Sequence, residues 1–385
     1  MSTAIRDAPL RVDESVLADL HRRLDDARFP EQPEDDDWDL GTHRDTLEAL
    51  CRYWRDQFDW RAVEARINGF GPRRTTIDGL GVHFLHVEST QPDAFPLVLT
   101  HGWPGSIIEF LDLIPMLTDP EAHGGRAEDA FHVVCPSLPG YGLSEPPRKA
   151  GTDPHQIATM WAELMARLGY PSYGAQGGDY GSVISTLLGA TDPEHCVAIH
   201  LNMLLAGPPK NADPLAGLTE QERRHLTTTQ RNAKEETGYY AIQSTRPGTL
   251  GFGLHDSPIG LAAWLIEKFR AWSDGDLESS FSKDQLLANI MLYWVTGTIT
   301  SSCRLYWETE RGERVVPGHV PTAAAIFPGE LIRPPRAWAE ARYPSLVRWQ
   351  EFERGGHFAA LEVPSVLAED VREFFRAYRG ERTDR

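Results

Sequence analysis

Long apolar runs are absent from this chain. None approaches the roughly 20 residues that cross a bilayer as a helix, and residues 1–11 are polar where a secretion signal would carry an apolar core. Both absences lead us to expect a cytoplasmic protein. Basic charge is also short: 38 Lys and Arg face 56 Asp and Glu, for a net charge of −18. That balance argues against nucleic acid or an anionic membrane surface as partner, since both attract cationic patches. Cysteine is scarce. Cys51, Cys135, Cys196 and Cys303 are scattered, which is neither a disulfide framework nor metal-ligand spacing. There is no internal repeat and no phosphate-binding glycine loop. The acidic patch 34–37 reads as a solvated loop between two helices. No metal or cofactor is expected. What remains is hydrophobic content of 41% and 11 tryptophans, enough for a sizeable core.

The informative residues begin at Gly177-Gly178-Asp179-Tyr180-Gly181. The stretch before them reads as a strand and 182–188 as a helix. Strand, tight glycine turn and helix make a nucleophile elbow, whose strained turn needs glycine. Serine usually stands at such a turn and needs a base. A carboxylate, with an ordinary pKa of about 3.9, is already a nucleophile at neutral pH. Its attack on a saturated carbon would leave an ester of Asp179 that must then be hydrolysed. A turn aspartate alone would be unremarkable, but two further segments accompany it.

His101-Gly102-Trp103-Pro104-Gly105 follows an apolar strand at 96–100 and precedes a helix expected over 107–117. Backbone N–H groups of such a loop supply half of an oxyanion hole; the N–H of Tyr180, after the nucleophile, supplies the other half. Gly355-Gly356-His357 ends a strand expected over 346–352, which puts His357 at the carboxyl edge of the sheet. A third group must orient the histidine. No aspartate occurs between Asp284 and Asp370, so it must be a glutamate if it follows the penultimate strand. Residues 321–327 read as that strand, and Pro328-Gly329-Glu330 turns off its end. Glu330 is the choice. Glu351 and Glu353 lie too near His357 along one strand, and Glu308, Glu310 and Glu313 precede the strand.

The wider pattern is α/β. Asp13 is a plausible N-cap for a first helix with Val16, Leu17, Leu20 and Leu24 on one face. A second shows Leu47, Leu50, Cys51 and Trp54, with Trp60 and Ile67 nearby. A hairpin is expected over 76–87, then strands near 97–100, 131–135 and 173–176 separated by helices. After residue 203 the rhythm stops for a long helical stretch rich in tyrosine and tryptophan. Ser257-Pro258 is a good helix start within it. The sheet resumes near 320, and a helix over 366–378 closes the chain. We therefore expect an N-terminal helical extension (1–74) packing on the core, a first core part (75–206), an inserted helical lid (207–308) and a second core part (309–385).

Together these segments resemble the epoxide hydrolases of the α/β-hydrolase superfamily, of the microsomal and juvenile-hormone type with an N-terminal extension. Further matches lie in Gly238-Tyr239-Tyr240-Ala241-Ile242-Gln243, in Asp256-Ser257-Pro258-Ile259-Gly260-Leu261, and in Tyr293-Trp294-Val295-Thr296-Gly297-Thr298. The resemblance implies a mostly parallel sheet flanked by helices, with a helical lid. It also implies conversion of a small-molecule epoxide to a vicinal diol without a cofactor. Asp179 is then the nucleophile, Tyr239 and Tyr306 hold the epoxide oxygen, and Glu330 orients His357. The N–H groups of Trp103 and Tyr180 form the oxyanion hole. Tyr240 and Tyr293 are the alternative lid tyrosines. Members of the family serve detoxification, hormone turnover and natural-product biosynthesis, so the substrate stays open, as does a homodimer. Two rival readings differ in class. A haloalkane dehalogenase uses the same Asp and His but commonly has tryptophan where this chain has Tyr180. A non-catalytic member usually loses triad residues, and here each has a candidate.

Overall fold

Strand and helix runs build one nine-stranded sheet in the order β1-β2-β3-β5-β4-β6-β7-β8-β9, among the described residues. The computed structural model describes residues 4–33, 37–210 and 213–379, so Glu34, Asp35 and Asp36 of the acidic patch lie outside the described residues. The strands are β1 Arg6–Asp7, β2 Pro72–Ile77, β3 Leu80–Val87, β4 Phe95–Thr100, β5 Phe131–Pro136, β6 Tyr173–Gly177, β7 Cys196–Leu201, β8 Thr322–Ile326 and β9 Leu346–Glu351. Pairing is parallel from β5 through β9 and antiparallel among β1, β2, β3 and β5. Every residue of β4 and β6 is buried, as expected for parallel strands covered on both faces by helices. The β2–β3 hairpin turns on Asp78 and Gly79, at φ +49° and +77°, the geometry that matches the twist of its strands.

Three helices precede the hairpin: α1 Glu14–Asp25, α2 Arg44–Asp56 and α3 Trp60–Gly69. Asp13 does stand at the N-cap position of α1, but its side chain makes no capping bond. Trp60 and Ile67 belong to a helix of their own, started by Asp59, whose carboxylate accepts from the N–H groups of Arg61 and Ala62. The core helices are α4 Leu113–Thr118, α5 Pro154–Arg167 and α6 Tyr180–Thr191. The single helix expected over 107–117 is instead a 3-10 turn at Ile107–Phe110 followed by α4. Pro115 explains the break: it lacks an N–H and is tolerated only in a first turn.

The lid comprises α7 Glu220–Glu235, α8 Gly238–Thr245, α9 Pro247–Asp256, α10 Pro258–Ala271, α11 Leu277–Ser280, α12 Lys283–Thr296 and α13 Ile299–Thr309. Ser257 caps α10 by accepting from Gly260 N–H, with Pro258 in the first turn. The chain ends through α14 Arg336–Arg342, α15 Ala359–Glu362 and α16 Pro364–Phe375. Two features differ from the expected organisation. The helices of the N-terminal extension meet the lid as well as the core, α1 and α2 against α10, α2 and α3 against α12, and α3 against β2. The boundary at 74/75 also falls inside β2, because β1 joins the sheet by pairing with that strand. Among the described residues, no helix is long and apolar enough to cross a membrane.

Candidate active site

Four strands deliver the site at one edge. β4, β6, β8 and β9 run parallel, so the loops after their carboxyl ends converge. Asp179 sits between β6 and α6 at φ +51°, a conformation that costs a residue with a Cβ about 1–3 kcal/mol. The turn has no room for side chains: a Cβ on Gly177 would collide with Gly181, and one on Gly181 with the Thr100 carbonyl oxygen. Such tightness holds the strained aspartate and aims its carboxylate at the loop after β4. There the Trp103 N–H donates to Asp179 Oδ1 at 2.9 Å. Gly102 makes the approach possible, since a Cβ on it would overlap the carboxylate. Tyr180 opens α6, where backbone N–H groups have no acceptor within the helix.

The loop after β4 is itself braced. Burial lowers the pKa of His101 to about 4. Its neutral ring accepts from Leu138 N–H through Nε2 at 3.2 Å and faces the Gly102 carbonyl with Nδ1 at 3.0 Å. From the lid, Asn289 donates to Pro104 O at 2.8 Å and the Tyr293 hydroxyl to Gly105 O at 2.7 Å. Tyr293 is thus engaged with backbone rather than turned toward the carboxylate.

His357 follows β9. Its Nδ1 lies 3.0 and 3.1 Å from the two oxygens of Glu330, and its Nε2 lies 3.6 Å from Asp179 Oδ2. A bridge between Gly329 and Gly356 ties the two loops together, and the Trp272 carbonyl accepts the His357 N–H at 2.9 Å. Burial works against a charged ring, but the Glu330 and Asp179 carboxylates outweigh it and hold the His357 pKa well above its ordinary value. Glu330→Gln keeps the shape and removes the charge that orients and supports the ring. We expect it to slow ester hydrolysis less than loss of the ring does; stopped-flow decay of the ester checks this, and wild-type decay would point to another carboxylate.

Opposite the elbow, Tyr239 on α8 and Tyr306 on α13 stand with ring centroids 5.7 Å apart. Both line a cavity of about 410 Å³ together with Asp179 and His357. Burial, with the Asp179 charge adding to it, raises both phenol pKa values, so each hydroxyl keeps its proton at neutral pH. Tyr306 Oη is buried, and the neighbouring Tyr306 hydroxyl offsets part of the rise at Tyr239. Tyr240 also lines the cavity, but its hydroxyl donates to Glu310. Val183, Met203, Leu205, Leu331 and Ile332 make much of the remaining wall.

Sequence reasoning missed a second, polar cavity of about 10 Å³ on the elbow, lined by Asp179, His357, Glu109, Asn202 and Thr100. That is room for about one water molecule. Thr100 Oγ1 is buried there without a partner among the described residues. Burial pushes the Glu109 carboxyl up to about 8, against the pull of His357. Asn202 presses on Gly178, where a Cβ would clash with its amide. No motif announces Glu109 or Asn202, which reach the elbow only through the fold.

Comparisons with known proteins bear on the family and the fold. Residues 5–110 match the model described as epoxide hydrolase N terminus, and 96–233 the one described as alpha/beta hydrolase fold. A putative epoxide hydrolase of Stigmatella aurantiaca is 49% identical over 374 residues, covering 96% of this chain and 84% of that protein. The chain belongs to the epoxide hydrolase family. Epoxide hydrolase 1 of Sus scrofa is 40% identical over 403 residues, covering 96% of this chain and 88% of its own. The juvenile hormone epoxide hydrolase of the silkworm Bombyx mori superposes with a TM-score of 0.91 at 31% identity, covering 99% of this chain and 96% of that one. The Aspergillus niger epoxide hydrolase gives 0.88 at 31%, covering 98% and 97%. The enzyme has the α/β-hydrolase fold and is an epoxide hydrolase, a family whose general course runs through an aspartyl ester.

Proposed function

We propose that Asp179 opens the oxirane from the side away from the breaking C–O bond while Tyr239 and Tyr306 donate to the departing oxygen. The observation that carries this is one carboxylate facing two neutral phenols across a single cavity. Negative charge grows on that oxygen in the transition state, where preorganised donors act most strongly. The product of this step is a glycol ester of Asp179. His357, oriented by Glu330, then takes a proton from water, and the hydroxide attacks the ester carbonyl. The N–H groups of Trp103 and Tyr180 hold the tetrahedral oxyanion; the 2.9 Å contact from Trp103 to Oδ1 supports this role. The small polar cavity beside Glu109 and Asn202 is the place we assign to the attacking water.

Charge links the two steps. In the free enzyme, Glu330 and Asp179 together favour imidazolium. Esterification removes the Asp179 charge, the support weakens, the ring gives its proton to solvent, and it becomes a base when one is needed.

The substrate we infer is a free, apolar epoxide bound within the 410 Å³ cavity by its hydrocarbon part. A cytoplasmic enzyme with an electroneutral small-molecule partner suits the net charge of −18. A panel of styrene-oxide-type, aliphatic and terpene epoxides, with chiral analysis of the diols, tests the reading. Turnover of apolar epoxides without chloride release from alkyl chlorides is the expected result. Chloride release with every epoxide untouched contradicts it.

A further inference from the structure

Lys268, on α10, is a buried lysine that the steps above do not use; it is 6% exposed. Lysine almost never buries its charge without partners. Its Nζ lies 2.6 Å from Glu267 and 3.4 Å from Glu236. Burial raises the Glu267 carboxyl pKa against the opposing pull of Lys268, which marks a poorly hydrated site. The ammonium is also held over aromatic rings, 5.2 Å from the Tyr239 centroid and 5.6 Å from that of Trp272. Tyr239 in turn stacks on Trp103, with centroids 5.0 Å apart and planes 7° apart. Glu236 lines the substrate cavity and lies three residues before Tyr239, so the ion pair ties α10 to the chain that carries the phenol. One turn on, the Trp272 carbonyl accepts the His357 N–H.

We propose that Lys268 is a positioning residue for oxirane opening: its ammonium, held over the Tyr239 ring, makes that phenol a better proton donor to the departing oxygen. The inference rests on the reading of Tyr239 as a donor. A cation is attracted to the negative face of an aromatic ring, more so when poorly hydrated. As the phenol gives up its proton, ring and oxygen gain negative charge, and the attraction grows. An interaction that strengthens toward the transition state accelerates the step. In that step the bond from an Asp179 oxygen to carbon forms as the oxirane C–O bond breaks. The electron pair left on oxygen takes the phenol's proton. The proton released when Asp179 returns to carboxylate after ester hydrolysis restores the phenol.

The test is a double-mutant cycle of Lys268→Met and Tyr239→Phe, with styrene oxide as probe. Alkylation is read by tryptophan fluorescence quenching and ester decay separately. We expect Lys268→Met to slow alkylation about tenfold while ester decay stays unchanged, and Lys268→Arg to restore most of the loss. In the Tyr239→Phe background the same change should have no further effect. Wild-type alkylation by Lys268→Met, or an equal slowing with and without the Tyr239 hydroxyl, overturns the proposal. Wild-type alkylation by Tyr239→Phe alone overturns instead the donor reading beneath it, so the two failures are distinct. If Lys268→Met does not fold, Lys268→Gln removes the charge and keeps a polar side chain at the position.

Discussion

His357→Gln is expected to stop turnover after its first half. The variant should still be alkylated, because the Asp179 carboxylate and both lid phenols are untouched, but the ester should accumulate. General-base catalysis contributes about 10²–10⁴ in rate, and the decay of the ester should slow by that order. Intact-protein mass spectrometry after mixing with epoxide reads the adduct directly. The same logic sets a pH dependence in the wild type. Hydrolysis needs the neutral ring, so its rate falls as pH drops through the pKa that His357 has in the ester. That value lies below the one in the free enzyme, because the ester lacks the Asp179 charge that helps raise it. Stopped-flow decay across pH, measured apart from alkylation, checks the sign. Faster ester decay at lower pH would contradict the assignment.

The lid tyrosines carry the other large effect. Removing one donor to a developing oxyanion typically costs about 10²–10³ in rate, softened here because the second phenol stands with its centroid 5.7 Å away. Tyr239→Phe and Tyr306→Phe should each slow alkylation clearly and leave ester decay largely alone. The double variant should hardly alkylate at all. Tyr306 is the sharper case, because its side chain is the more deeply buried of the two, beside the Tyr239 hydroxyl. Single variants that both alkylate at the wild-type rate would move the role elsewhere. Tyr240 would then come first, since it lines the cavity and Tyr293 does not.

Local chemistry explains what the sequence made legible. The elbow is a few consecutive residues whose glycines are forced by close approach, of Gly177 to Gly181, of Gly178 to Asn202 and of Gly181 to Thr100, and the structure places a positive φ at its aspartate. Glu330 could be reached by elimination because strand order fixes which loop follows the penultimate strand, and the geometry then puts it 3.0 Å from His357 Nδ1. The parts that stayed hidden depend on distant segments meeting. The amphipathic faces of α1 and α2 showed that these helices pack, but not that α10 and α12 of the lid receive them. The two-residue strand β1 has no periodicity to read. Glu109 and Asn202 share a cavity although 93 positions separate their numbers, and neither belongs to a motif. No motif marks Lys268; its burial and the Tyr239 ring beneath its ammonium are visible only in the fold.

The central claim is that the oxygen added to the substrate comes from Asp179 and that water replaces it only afterwards. A single turnover in heavy-oxygen water, with enzyme in excess over epoxide, tests this most directly. The account predicts that the first diol is unlabelled and that the label appears in the carboxylate of Asp179, found by mass spectrometry of the peptide that contains it. Label in the first diol with none in Asp179 would mean that water attacks the epoxide itself, and the ester mechanism assigned to this site would be wrong.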